Sequence, residues 1–148
     1  AFEGVQVRDI MTPADRVETV PEMFSVADLV ERMFRDRHTG YPVERNGDVV
    51  GLVTLEDAQA VKEVEQEAFT VGDVMTTEIY SVEPDEDVMT ALDQLQQNNI
   101  GRLLVIDDDE FVGLLTRTDI MTALSIIESG GRTASRSTDN LEAAPPRV

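Results

Sequence analysis

Two pairs of side chains, Thr54 with Asp57 and Thr116 with Asp119, stand at the same spacing at the ends of two matching stretches, "VVGLVTLED" (Val49 to Asp57) and "FVGLLTRTD" (Phe111 to Asp119). A core needs the apolar residues of these stretches but has no use for a fixed threonine and aspartate. If a strand ends at the threonine and a helix starts just after it, the hydroxyl and the first-turn N–H groups face one spot, where the helix dipole favours an anion such as phosphate. The aspartate, three residues on, lies nearly one turn into the helix. Its carboxylate can accept two hydrogen bonds from a vicinal diol such as that of a ribose. Gly51 and Gly113, six residues before each aspartate, let the strand bend or another backbone approach closely. The plain alternative is structural: the threonine caps its helix and the aspartate balances the helix dipole.

Other chemistries find little material. The 148 residues contain no cysteine, so there is neither disulfide nor thiolate chemistry, and His38 is the one histidine, too little for a zinc site. His38 reads as a partner for a helix C-terminus. The run "DDDE" at 107–110 reads as an acidic turn, because it lacks the alternating ligand spacing of a calcium loop. Neither "GxSxG" nor a Walker "GxxxxGK[ST]" occurs, so no enzyme activity, metal or required cofactor is expected.

Thirty acidic residues against twelve basic ones give a formal charge of −18, which argues against nucleic acid as a partner. An apolar fraction of 41% favours a folded domain with carboxylate-covered faces over a disordered acidic chain. Lys62 is the only lysine. An acid-rich, lysine-poor surface resembles that of proteins from salt-loving organisms, in which molar salt screens charge within about 3 Å. No apolar run approaches the roughly 20 residues that span a bilayer, and no signal-like segment opens the chain, so a cytoplasmic location is expected. The sequence opens on Ala1 rather than Met, which leaves room for a membrane-embedded effector outside it.

The elements that position the two pairs come from a duplication. Shifting the chain by 62 residues superposes Val20 on Val82, Val26 on Val88, Val43 on Val105, Gly51 on Gly113, Thr54 on Thr116 and Asp57 on Asp119. Upstream, "VRDIMT" (Val7 to Thr12) answers "VGDVMT" (Val71 to Thr76) at a shift of 64. In each copy a short extended piece (16–20 or 79–82) precedes an amphipathic helix, with Val26, Leu29, Val30, Met33 and Val88, Ala91, Leu92, Leu95 on the apolar face. Ser25 and Asp87 stand at the N-cap positions. Two strands joined by a tight turn follow, "YPVER-NG-DVVGLVT" and "RLLVI-DDD-EFVGLLT", and a second helix closes each copy, over 56–67 and 118–128. The expected fold is therefore α+β: two pseudosymmetric β-α-β-β-α motifs packed as one module. The motifs would cover 1–66 and 67–128, and the aperiodic segment 129–148 reads as a disordered tail or linker. A chain of this length buries about 70% of its unfolded surface, enough for a core shared by both copies.

The stretches "GLVTLED" and "GLLTRTD", with "YPV" or "LLV" strands before them and a "DIMT" or "DVMT" lead, resemble the cystathionine-beta-synthase (CBS) domain, here as a tandem pair or Bateman module over Val7 to Glu128. The resemblance implies a regulatory pair with two clefts for adenosine ligands: AMP, ADP, ATP or S-adenosylmethionine. Carried over by position, one cleft would use Thr116, Arg117 and Asp119 with Thr12, Val17, Gly40 and Tyr41; the other would use Thr54 and Asp57 with Thr76, Ile79, Gly101 and Arg102. Arg117 and Arg102 answer Leu55 and His38 of the first copy on this reading, so the Asp119 cleft is expected to bind phosphate more tightly. The second copy departs from the family pattern with Leu104 where Pro42 stands. The resemblance also implies a homodimer of pairs, and a control role over an attached or partner effector; the alternative is a structural dimerisation module with vestigial clefts. The run "RHTGYPV…GLVTLEDA" is similar to the CBS region of archaeal membrane metalloproteases of the site-2 type.

Overall fold

The computed structural model of the chain describes residues 4–131. In chain order these form α1 (Val7–Ile10), β1 (Thr12–Pro13), a 3-10 turn (Ala14–Arg16), β2 (Val20–Pro21), α2 (Val26–Asp36), β3 (Gly40–Arg45) and β4 (Asp48–Thr54). Then come α3 (Leu55–Gln59), a second 3-10 turn (Glu63–Glu65), α4 (Val71–Val74), β5 (Ser81–Val82), α5 (Val88–Asn98), β6 (Arg102–Asp107), β7 (Glu110–Thr116) and α6 (Arg117–Gly131). The class is α+β, with two sheets. The N-caps fall where expected: Ser25 Oγ accepts from Asp28 N–H at 3.0 Å, and an Asp87 oxygen accepts from Met89 N–H at 2.7 Å. Both hairpins turn through two residues at positive φ, Asn46–Gly47 (52° and 87°) and Asp108–Asp109 (55° and 69°), the pattern that matches the right-handed twist of paired strands.

The compact units do not follow the sequence repeat. One runs from Arg16 to Tyr80; the other joins the residues up to Asp15 to those from Ser81 onward. Each "Met-Thr" lead is thus docked on the body of the other copy. In the first unit Val71 is fully buried, its N–H donates to Phe24 O at 2.7 Å, and Gly72 N–H donates to Glu22 O at 2.9 Å. The second unit repeats this bond for bond: Val7 is fully buried, Val7 N–H donates to Glu86 O and Arg8 N–H to Pro84 O, both at 2.9 Å. Gly51 and Gly113 make room for the docked lead. A Cβ on Gly51 would lie 2.7 Å from Met75 Sδ and 2.9 Å from Thr76 O; on Gly113 the figures are 2.5 Å to Met11 Sδ and 2.8 Å to Thr12 O. Of the two roles open to these glycines, close backbone approach is the one observed.

In the Arg16–Tyr80 unit, β2 pairs with β3 in parallel and β3 with β4 antiparallel, around a core of Val20, Val26, Leu29, Met33, Tyr41, Val43 and Val53. Its lead contributes a single bridge, Leu52 to Thr76. In the other unit the order is β1-β7-β6-β5, and the equivalent lead forms a true edge strand, with Thr12 opposite Leu114.

Two expectations need correction. The second helix of the first copy stops at Gln59 instead of running to Glu67. The reason is hydrogen bonding elsewhere: the N–H groups of Val26 and Ala27, at the start of α2, donate to Phe69 O at 2.8 Å and Gln66 O at 3.0 Å, so the segment after α3 must leave helical geometry to present those carbonyls. In the second copy the helix runs on to Gly131, past the expected end at Glu128. The remainder of the segment read as a tail lies outside the described residues.

Candidate functional site

Both strand-to-helix junctions are reciprocal capping boxes. At the first, Thr54 N–H donates to Asp57 Oδ2 at 2.9 Å and Asp57 N–H donates to Thr54 Oγ1 at 3.3 Å. At the second, Thr116 N–H donates to Asp119 Oδ2 at 3.3 Å and Asp119 N–H to Thr116 Oγ1 at 3.0 Å. The plain structural role is therefore real, and it holds both side chains in one rotamer. It leaves capacity over. A carboxylate has about four acceptor positions, of which the box takes one, and the threonine hydroxyl still has its proton to donate.

The anion spot is narrower than the sequence implies. Leu55 N–H donates to Thr39 O and Arg117 N–H to Gly101 O, both at 2.9 Å, and the third-residue N–H of each helix is spent on the threonine. α3, with five residues, offers little dipole; α6 has fifteen. Two of the first three N–H groups of each helix are thus already paired within the chain.

The Arg16–Tyr80 unit contains Val17, Gly40, Tyr41, Thr54, Asp57, Thr76 and Ile79; the other contains Thr12, Gly101, Arg102, Thr116, Arg117 and Asp119. Gly40 faces Thr54 across the β3–β4 ladder, and Arg102 faces Thr116 across β6–β7. The residue answering Arg102 is therefore Gly40, not His38. Thr76 and Thr12 pair two residues upstream of the two junction threonines, opposite Leu52 and Leu114. Burial holds the Arg102 guanidinium below its usual pKa, though it stays a cation at any working pH. Arg117 is exposed, with Nη2 3.5 Å from Leu95 O.

Tyr41 is only 1% exposed, so its ring belongs to the core and only its backbone can meet a ligand. Its hydroxyl bonds Asp36 Oδ2 at 3.1 Å, and Arg32 Nε donates to the same oxygen at 2.9 Å. Desolvation and the Asp36 carboxylate push the Tyr41 hydroxyl up to about 12. The His38 and Tyr41 rings meet in a T-shaped arrangement, with centroids 5.7 Å apart. Sequence reasoning missed this cluster, and it missed two further capping boxes, Gln6/Asp9 and Thr70/Asp73, although "T-x-x-D" at 70–73 was a readable signal. Beside Asp57, an open cavity of about 440 Å³ is lined by Glu56, Glu65 and Asp73 together with Val61 and Phe69. Among the described residues no cluster of His, Asp or Glu could hold a metal ion, and no helix is long and apolar enough to cross a membrane.

Two copies of one β-α-β-β-α unit, each with a capped Thr-x-x-Asp junction between its last strand and last helix, define a tandem pair. The profile of the CBS domain matches residues 7–61 and 71–126, and the chain belongs to that family. It is 30% identical over 127 residues to a zinc metalloprotease of Methanocaldococcus jannaschii, a match that spans 86% of this chain and 34% of that protein. The chain thus corresponds to about a third of the length of that relative. Among solved structures it resembles CBSX2 in complex with AMP, at 30% identity and a TM-score of 0.74, over 85% of this chain and all of the other. It also shares the fold of the CBS domain of a bacterial CNNM/CorC family Mg2+ transporter in complex with ATP, at 23% identity and a TM-score of 0.77, over 84% and 89% of the two chains.

Proposed function

We propose that the chain is a sensor of adenosine nucleotides that passes ligand occupancy to an attached or partner effector. The observation that carries this reading is the Thr-x-x-Asp capping box repeated at the two matching strand-to-helix junctions, which preorients a hydroxyl donor beside a carboxylate acceptor, the groups that a phosphate and a ribose diol would bond. The AMP and ATP held by the two structural relatives support the ligand class; S-adenosylmethionine is a further candidate. Thr12, Thr116, Arg117 and Asp119 form one proposed half-site, Thr54, Asp57 and Thr76 the other. Ligand would act by binding one arrangement of the effector-linked pair better than another.

The relative from M. jannaschii, a zinc metalloprotease, supports a metalloprotease as the effector; we take that effector to be membrane-embedded with this chain as its cytoplasmic part, and the charge of −18 supports an archaeal host that lives in high salt. Catalysis on this reading belongs to the effector and not to this chain. Met121 and Ile126, exposed on α6, support self-association into a homodimer. A second reading, a structural module with vestigial clefts, is favoured by the capping boxes being complete without ligand. Thermal unfolding in molar salt separates the two. AMP, ADP, ATP or S-adenosylmethionine at about 100 times its Kd should add roughly 2.7 kcal/mol, seen as a higher Tm. Unchanged Tm with all four at millimolar concentration supports the structural module.

A further inference from the structure

The residues that lead into β2 are fastened from two sides. Arg32, on α2, donates from Nη2 to Thr19 O at 3.3 Å and reaches Glu18 Oε1 at 3.5 Å, while Thr19 Oγ1 donates to Glu44 Oε2 on β3 at 2.7 Å. Arg32 is itself held. Its Nε donates to Asp36 Oδ2 at 2.9 Å, the oxygen that also accepts from the Tyr41 hydroxyl, and its guanidinium lies 5.7 Å from the centre of the Tyr41 ring. The Arg32 and Asp36 side chains are only 21% and 16% exposed, so salt screens this pair less than a surface pair. A rigid guanidinium fork anchored in this way leaves the backbone next to Val17 little freedom.

The shift of 62 residues supplies a comparison inside the same chain. Thr19, Arg32, Asp36 and Tyr41 answer to Ser81, Gln94, Asn98 and Leu103. Gln94 Nε2 donates to Ser81 O at 3.4 Å, the same carbonyl bond made by an uncharged amide, and Asn98 Nδ2 donates to Gln94 O at 2.9 Å. A neutral pair thus stands where the first copy has an ion pair. The first copy also has two more residues to order between its lead and β2.

We propose that Arg32 is a positioning residue for ligand binding: it touches no ligand but fixes residues 17–19, so that Val17 is held in its binding conformation before the ligand arrives. Gln94 gives residues 79–81 of the second copy a weaker hold. The inference rests on the adenosine reading given above, with Val17 and Ile79 as matching contacts. Backbone ordered during folding need not be ordered by the ligand, so affinity rises without a new contact.

The test combines backbone order parameters from NMR relaxation with calorimetric titration of the whole chain by AMP and by ATP. Without ligand, Glu18 and Thr19 should sit near the rigid value of about 0.85, and Tyr80 and Ser81 below it. Arg32→Met should lower the order of Glu18 and Thr19, weaken nucleotide binding by about threefold to tenfold, and let saturating nucleotide restore the lost order. If Arg32→Met fails to fold, Arg32→Gln, which copies the second copy's residue, should give smaller shifts in the same direction. Gln94→Arg combined with Asn98→Asp transplants the ion pair and should stiffen Tyr80 and Ser81, a gain that general destabilisation does not produce. A variant that is less stable but keeps the parent's order at Glu18 and Thr19 and its nucleotide affinity overturns the positioning role and leaves the nucleotide reading standing. A parent chain that binds neither nucleotide overturns both.

Discussion

Gly51 and Gly113 show what a single residue contributes. Replacing either by alanine drives a methyl group into a methionine sulfur and a threonine carbonyl of the docked lead. The sulfur can swing aside; the carbonyl is backbone and cannot. Overpacking of this kind costs about 1–3 kcal/mol, so urea unfolding should show a lower midpoint for Gly51→Ala and Gly113→Ala, and an unchanged midpoint would mean the lead is not held there. The glycines were legible in the sequence because they recur at a fixed distance from Thr and Asp. The backbone they admit was not, since a spacing says that something comes close and not which copy supplies it. The same holds for Thr54 and Thr116: their types pointed both to a cap and to a ligand donor, and only the hydrogen bonds show that the cap is made while the hydroxyl proton remains to be used.

At the scale of elements, the helices α2 and α5 and both hairpins could be read directly, because apolar period, N-cap and turn residues all agree there. The short α3 could not, because the carbonyls of Gln66 and Phe69 just beyond it serve the start of α2, much earlier in the chain. The polar ties between α2 and β3 were equally hidden, being made by Arg32, Asp36 and Tyr41 from different elements. They give a pH signature. Tyr41 titrates near 12 in the folded chain against about 10 when unfolded, so its contribution is intact below pH 10 and is lost as pH rises towards 12. Tyr41→Phe should flatten the alkaline limb of the stability profile; the same limb in parent and variant would contradict the assignment. On the acid side, the Arg45 guanidinium bonded to Glu22 holds that carboxyl below its usual range, so its contribution is present above the unfolded value and lost as pH falls through the folded one. Arg45→Met should lessen the acid sensitivity of the denaturant midpoint.

At the scale of the whole molecule, the charge of −18 on 148 residues sets the conditions in which the chain is stable. At 1 M salt the screening length is about 3 Å and the carboxylates hardly sense one another; at 0.01 M it is about 30 Å and they repel across the domain. Dialysis from molar to millimolar salt should lower the denaturant midpoint, and a midpoint that stays put would remove the case for a high-salt origin. Duplication was legible at this scale, down to the shift of 62 residues. The exchange of leads was not, because the lead and the body of each copy are both complete in sequence and only packing decides which is joined to which.

The central claim is that the Thr-x-x-Asp junctions hold an adenosine ligand, and calorimetric titration of the chain with AMP, before and after Asp119→Ala, tests it most directly. Asp119→Ala also removes a capping carboxylate worth about 0.3–1 kcal/mol of stability, so the titration belongs at a salt concentration where circular dichroism shows both proteins folded. Hydrogen bonds to a charged acceptor contribute about 1.5–3 kcal/mol, so the variant should bind AMP roughly 10-fold to 150-fold more weakly, with Asp57→Ala affecting AMP less. Equal AMP affinity in the parent and in Asp119→Ala would contradict the ribose-holding role assigned to this junction.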